Sequence, residues 1–282
     1  MLTIDVLLKK VFEPAVLQKI FNEPCQWDLS SFQQALGWSN FQVLEKPQPE
    51  ILSLPLPEAT NNSTETPEII RLLLEVFYRG KYSNDDYFTI DDAAEPATEL
   101  LHGLEFATYA LHAGASDEDV IAGMLHDIGR FYHEPNYANK HHHEDGYTLM
   151  TELFGQQVGE FCYLHGYAKA MLYDVIPGYP DGMTDVSMKT LILQRTNFDV
   201  VYDYLNQIDD IKQRQYTVLK AMLFRIFDDS SKYPLTDSYN LVPEEYVTEL
   251  LMQVFVKQSH DENNFEKIHN LLQNGLAVKQ EC

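Results

Sequence analysis

From residue 67 onward, apolar residues recur at three- and four-residue spacing almost without a break. No stretch sustains the every-second-residue alternation with hairpin turns that a half-buried strand needs. A chain of this kind must bury its apolar stripes helix against helix, so the expected class is all-α. The helix signals agree with this. PEIIRLLLEVFYRG starts with proline in the first turn and stops on Gly80. PATELLHGLEFATYALHAG closes on Gly114, and Ser116-Asp-Glu-Asp supplies an acidic start for VIAGMLHDIGRF. Further helices are expected over 142–153, 156–172, 187–195, 198–208, 210–227, 243–257 and 265–274, with loops at 80–96 and 173–184.

Residues 1–45 also carry helical spacing, with a helix start at Asp28. The stretch KPQPEILSLPLPEATNNSTETP is then rich in proline, which removes backbone donors and disfavours helix, so a linker or extended surface arm is expected there. The chain thus divides into an N-terminal helical appendage with a Pro-rich linker (1–66), a core (67–235) and a C-terminal helical extension (236–282). No internal repeat is present.

The formal charge of −23 argues against nucleic acid as a partner, because a polyanion would be repelled. It leaves room for a small anionic substrate, which needs only a local basic pocket. The three cysteines, Cys25, Cys162 and Cys282, are widely spaced with no CxxC pair, which fits a reducing cytoplasm rather than a disulfide framework. No apolar run reaches membrane length, and the N-terminus is interrupted by charge, so neither a membrane span nor a signal peptide is expected.

The chemistry gathers around residues 122–146, AGMLHDIGRFYHEPNYANKHHHEDG. An adjacent pair, His126 and Asp127, ends an apolar run, and His141, His142 and His143 follow at the expected start of the next helix. Imidazoles and carboxylates are the ligand set that suits iron, zinc or manganese. A carboxylate buried in an apolar segment needs a charge partner, and a metal is one. His102 and His165 lie mid-helix and Asp228 ends a long helix. Read alone, each of these is more often a hydrogen-bonded core histidine, a solvated helix start or a helix-end carboxylate. Together, six donors from five helices match the way helical bundles build metal sites in their cores.

The order His, His-Asp, His, His, Asp resembles the HD-domain superfamily. Within it, the six-residue pattern is similar to the mixed-valence di-iron oxygenases, which include myo-inositol oxygenase and, more closely, oxygenases that cleave the carbon–phosphorus bond of organophosphonates. The resemblance runs through EPATELLHGLEFA, VIAGMLHDIGRF, HHEDGYTLMTELFG, LHGYAKAML, SMKTLILQ and FRIFDDSSKYP. It implies an HD-domain helical bundle with helical additions at both ends. One metal would be held by His102, His126, Asp127 and Asp228, and the second by His142 and His165, with Asp127 bridging. Gly146 and Phe154-Gly155 set the register that selects His142, with His141 and His143 as alternatives. It further implies that Lys169, Ser187, Thr190 and Arg225 bind a phosphonate group and that Glu95 lies near the substrate. The implied cofactor is a pair of iron ions, Fe(II)/Fe(III), and the implied co-substrate is O2. The chain departs from the family pattern at Asp92, where a tyrosine is usual, at Glu105 in place of glutamine, and in RTNFD after Gln194.

Two functions follow from such a site. One is a di-iron oxygenase that converts a small 1-hydroxyphosphonate into phosphate and a carboxylic acid. The other is a phosphohydrolase that uses Mn or Mg to activate water against a small phosphate ester or nucleotide. A regulatory protein that kept the fold without turnover is a third reading, opposed by the complete ligand set.

Overall fold

A computed structural model describes residues 3–56, 66–79, 97–132, 135–195, 198–232, 240–257 and 262–277. Among these there is no strand. The helices are α1 (Ile4–Val11), α2 (Pro14–Phe21), α3 (Leu29–Leu36), α4 (Gln48–Leu52), α5 (Glu68–Arg79), α6 (Glu99–His112), α7 (Asp117–Met124), α8 (Pro135–Phe154), α9 (Gln156–Val175), α10 (Asp185–Gln194), α11 (Phe198–Asn206), α12 (Ile211–Ser230), α13 (Glu244–Lys257) and α14 (Glu262–Ala277).

Local chemistry sets the ends of these helices. Asp28 caps α3, accepting from the Ser31 N–H while Ser31 reaches back to the Asp28 N–H. Thr98, Ser116, Thr184 and Asp210 cap α6, α7, α10 and α12 through their side-chain oxygens. The two longest neighbours, α8 and α9, are joined by Gly155 alone, whose φ of 90° reverses the chain and makes them an antiparallel pair. α9 packs in turn on α7 and α12, and α6 packs on α7 and α12. These five helices surround the buried polar centre.

Two boundaries differ from the expectation. α8 begins at Pro135, so His142 lies in mid-helix and not at a helix start. Proline is favoured in the first turn, where its missing N–H has no intrahelical partner. α12 runs to Ser230, beyond the expected end at 227, and Asp228 lies within its last turn.

The proline-rich stretch also holds more structure than an extended arm. Residues 48–52 form α4, with proline in its first turn, and Ile51 and Leu52 are fully buried. α4 packs on α6 and α1 on α12. Trp38 packs between Phe224 and Phe227, and its indole N–H donates to Asp119 at 2.9 Å. Asp119 is also paired with Lys220. One hydrophobic cluster runs from Ile4 in α1 to Leu276 in α14.

Candidate metal centre

α7 stops at Met124, and the chain turns through His126 and Asp127 into the short 3-10 segment Ile128–Tyr132. This turn aims both side chains at a centre walled by α6, α8, α9 and α12. Two groups of donor atoms form there. His102, His126 and Asp228 make one, and Asp127, His142 and His165 the other; within each, the atoms lie within 4.8 Å of one another and all six residues are buried.

The imidazoles are oriented from behind. His126 Nδ1 lies 2.6 Å from the Gly123 carbonyl and His165 Nδ1 lies 2.7 Å from the Cys162 carbonyl. A carbonyl only accepts, so both Nδ1 atoms carry the proton and both Nε2 atoms present lone pairs to the centre. His102 Nδ1 lies 2.8 Å from the Ser231 hydroxyl, whose own proton goes to the Asp228 carbonyl. His102 therefore donates as well, and its Nε2 is free to accept. The His102 and His126 Nε2 atoms then face one another at 3.4 Å with no proton between them. Those of His142 and His165 are 2.9 Å apart.

Asp127 divides its oxygens between the two groups. Oδ1 lies 3.1 Å from His142 Nε2 and 3.5 Å from His165 Nε2, while Oδ2 lies 3.6 Å from His126 Nε2 and 3.1 Å from Arg130 Nε. Asp228 reaches His102 at 3.4 Å and His126 at 3.5 Å. Asp127 Oδ1 is buried yet accepts no hydrogen bond among the described residues, while Asp228 Oδ1 is ion-paired with Lys232 Nζ at 3.1 Å. A buried carboxylate oxygen without a hydrogen-bond donor, facing imidazole nitrogens, is the environment a divalent or trivalent cation completes. Burial pushes both carboxyls up, but it is opposed most strongly by Arg130 at Asp127 and by Arg225 and then Lys232 at Asp228. Both are held well below the usual carboxylate range, in the ionised form a metal requires.

Of the three clustered histidines, only His142 enters this centre. His143 turns its ring toward Tyr163, with centroids 6.1 Å apart, and His141 lies 3.5 Å from Glu144. Glu95 lies outside the described residues.

The four residues expected to hold an anion are also brought together. Lys169 Nζ donates to Thr190 Oγ1 at 2.9 Å, and Thr190 donates on to the Ser187 carbonyl. Arg225 lies 3.5 Å from Ser187 Oγ and pairs with Asp228 and Asp229. Lys169 is 2% exposed, and no described carboxylate is ion-paired with it. Burial first, then the charges of Arg225 and Lys232, holds its pKa well below the ordinary lysine value.

Three further charged side chains reach the centre that the sequence reading passed over. Lys232 Nζ donates to Ser187 Oγ at 2.8 Å and lies 3.1 Å from Asp228 Oδ1. Arg130 contacts Asp127 and lies 3.7 Å from Glu99. Burial and the nearby Asp127 charge push Glu99 well above the usual carboxylate range. The signal for all three was helical or turn spacing: Lys232 follows Asp228 by four, Arg130 follows Asp127 by three, and Glu99 precedes His102 by three.

No family model matches the chain. Hydroxymethylphosphonate dioxygenase from Gimesia maris is 30% identical over 145 residues, covering 49% of this chain and 69% of that protein. The glycine-betaine-forming 1-hydroxy-2-(trimethylamino)ethyl phosphonate dioxygenase from Leisingera caerulea is 29% identical over 106 residues, 36% of this chain and 54% of that one. An all-α bundle with two buried His/Asp groups around a turn carrying His126-Asp127, and a relative matched over more than two thirds of its length, lead to one assignment: the chain belongs to the HD-domain phosphonate oxygenases.

Proposed function

We propose that the chain is a di-iron dioxygenase acting on a small 1-hydroxyphosphonate. The reaction consumes one O2 and yields phosphate and a carboxylic acid: the C–P bond breaks, and the hydroxyl-bearing carbon is oxidised to the carboxyl. An iron pair held as Fe(II)/Fe(III) supplies the activation of O2 when bound. The observation that carries this reading is the pairing of two candidate metal-ligand groups, both faced by Asp127, with an adjacent cluster of buried cations.

In this reading, His102, His126, Asp127 and Asp228 hold one metal. His142 and His165 hold the second, and Asp127 links the two through its separate oxygens. Arg130 and Arg225 fix the carboxylates, so the ligands are set before substrate arrives. Lys169, Arg225, Ser187 and Thr190 take the phosphonate, and Lys232 extends that clamp from the far side of Ser187. Lys169, buried with no ion-pair partner among the described residues, gains most from an anion, because a charged ligand offsets its burial penalty. Glu95 serves the substrate hydroxyl or an ammonium group beside it.

Anaerobic loading with iron, followed by hydroxymethylphosphonate and O2, tests the proposal. Phosphate should appear in step with O2 uptake, and none should form without O2. Phosphate release from a phosphate ester with Mn or Mg, independent of O2, would assign the hydrolase chemistry instead.

A further inference from the structure

α10 packs on α8 and α9, the helices that carry His142 and His165. Ser187, Thr190 and Gln194 follow one another at spacings of three and four, so they share one face of α10. All three are buried, each 1% exposed, while Ile192 and Leu193 on the other side of the helix are exposed. Ser187 and Thr190 belong to the anion cluster around Lys169. Gln194 stands one turn further on, about 6 Å along the axis from Thr190, and has no part in the site as described so far.

Two observations place the Gln194 amide beside the ligand group made by Asp127, His142 and His165. Its Nε2 lies 3.5 Å from His142 Nε2. Gly166, which directly follows His165, leaves the room for it: a Cβ at Gly166 would lie 3.2 Å from Gln194 Cδ and Oε1. The row Ser187, Thr190, Gln194 therefore runs from the anion cluster to the edge of the second metal group. The amide atom turned toward His142 is the nitrogen, which donates hydrogen bonds and binds no cation.

The carbonyl end of the amide is incomplete. Gln194 Oε1 is buried and accepts no hydrogen bond among the described residues. Buried amide oxygens are almost always satisfied, and this one needs an N–H or O–H donor. An ionised phosphonate offers only acceptors. The hydroxyl of a 1-hydroxyphosphonate is a donor, and it lies two bonds from phosphorus. With the phosphonyl oxygens on Lys169 and Thr190, that hydroxyl comes toward the next turn of α10, where Gln194 stands.

We propose, resting on the 1-hydroxyphosphonate reading above, that Gln194 selects the substrate's 1-hydroxyl by accepting its proton at Oε1. This leaves Glu95 to an ammonium group beside the hydroxyl. Anaerobic isothermal titration of the iron-loaded, full-length chain with hydroxymethylphosphonate and with methylphosphonate, which lacks the hydroxyl, tests it. Gln194→Met should weaken hydroxymethylphosphonate about ten-fold and methylphosphonate less than about two-fold, with iron content unchanged. Gln194→Asn, which keeps an amide but withdraws it by one methylene, should show the same selective loss. Equal weakening of both ligands, or no weakening of either, would overturn the proposal. A fall in iron content in both variants would assign Gln194 to the metal and overturn it as well. Failure of the unaltered chain to bind hydroxymethylphosphonate would remove the underlying reading, and this inference with it.

Discussion

Asp127 faces both candidate metal-ligand groups, each through a different oxygen, while each histidine offers a single nitrogen. This difference sets what substitutions should do. His142→Ala should lower bound iron from about two ions per chain to about one, because His165 and one Asp127 oxygen alone are a weak site. His143→Ala should leave the metal count unchanged. Metal analysis after anaerobic reconstitution checks both, and the reverse result would place the ligand one residue along. Lys169→Met separates binding from folding. Removing a buried ammonium with no ion-paired carboxylate among the described residues should leave stability unchanged or raise it by about 1 kcal/mol. Thr190 still donates to the Ser187 carbonyl, so no hydroxyl is stranded. The KM for hydroxymethylphosphonate should rise more than about ten-fold, since a charge-assisted contact to the anion is lost. A large fall in melting temperature with unchanged KM would show that Lys169 is structural. At this scale the sequence was readable where residue type was unusual, as with His126-Asp127 after an apolar run. Lys232 and Arg130 were passed over because a lone cation near a helix end is ordinarily solvated, and only burial distinguishes them.

The metal centre depends on how closely α8 approaches the turn that follows His126-Asp127. Gly129 sets that approach: a Cβ there would lie 2.0 Å from the His142 carbonyl oxygen and 2.8 Å from the Gly146 nitrogen. Both are backbone atoms of α8, so relief requires moving the helix that carries His142. Gly129→Ala should cost about 1–3 kcal/mol, read as a lowered melting temperature, and weaken metal binding by about ten- to a hundred-fold. An unchanged melting temperature with full metal loading would show that α8 shifts freely. The helices themselves were legible from apolar period and caps, as Asp28 and Ser116 illustrate. What was not legible is that α8 starts seven residues before His142 and that α4 forms within a proline-rich stretch. In α4, tertiary burial of Ile51 and Leu52 outweighs a weak local propensity.

The helices before residue 56 share one hydrophobic cluster with the metal-bearing bundle. Trp38 rests on Phe224 and Phe227, on the same helix that supplies Arg225, Asp228 and Asp229. Four cations and four carboxylates are buried around four imidazoles, an arrangement that is costly unless metal and anionic substrate complete it. Among the described residues, no helix is long and apolar enough to cross a membrane. The central claim, that two irons of unlike oxidation state share Asp127, is tested most directly by electron paramagnetic resonance of the iron-loaded, partly reduced protein, together with iron analysis. The account predicts two irons per chain and a spin-coupled Fe(II)/Fe(III) signal that shifts when hydroxymethylphosphonate is added without O2. One iron per chain with only an isolated ferric signal, unmoved by the phosphonate, would contradict it.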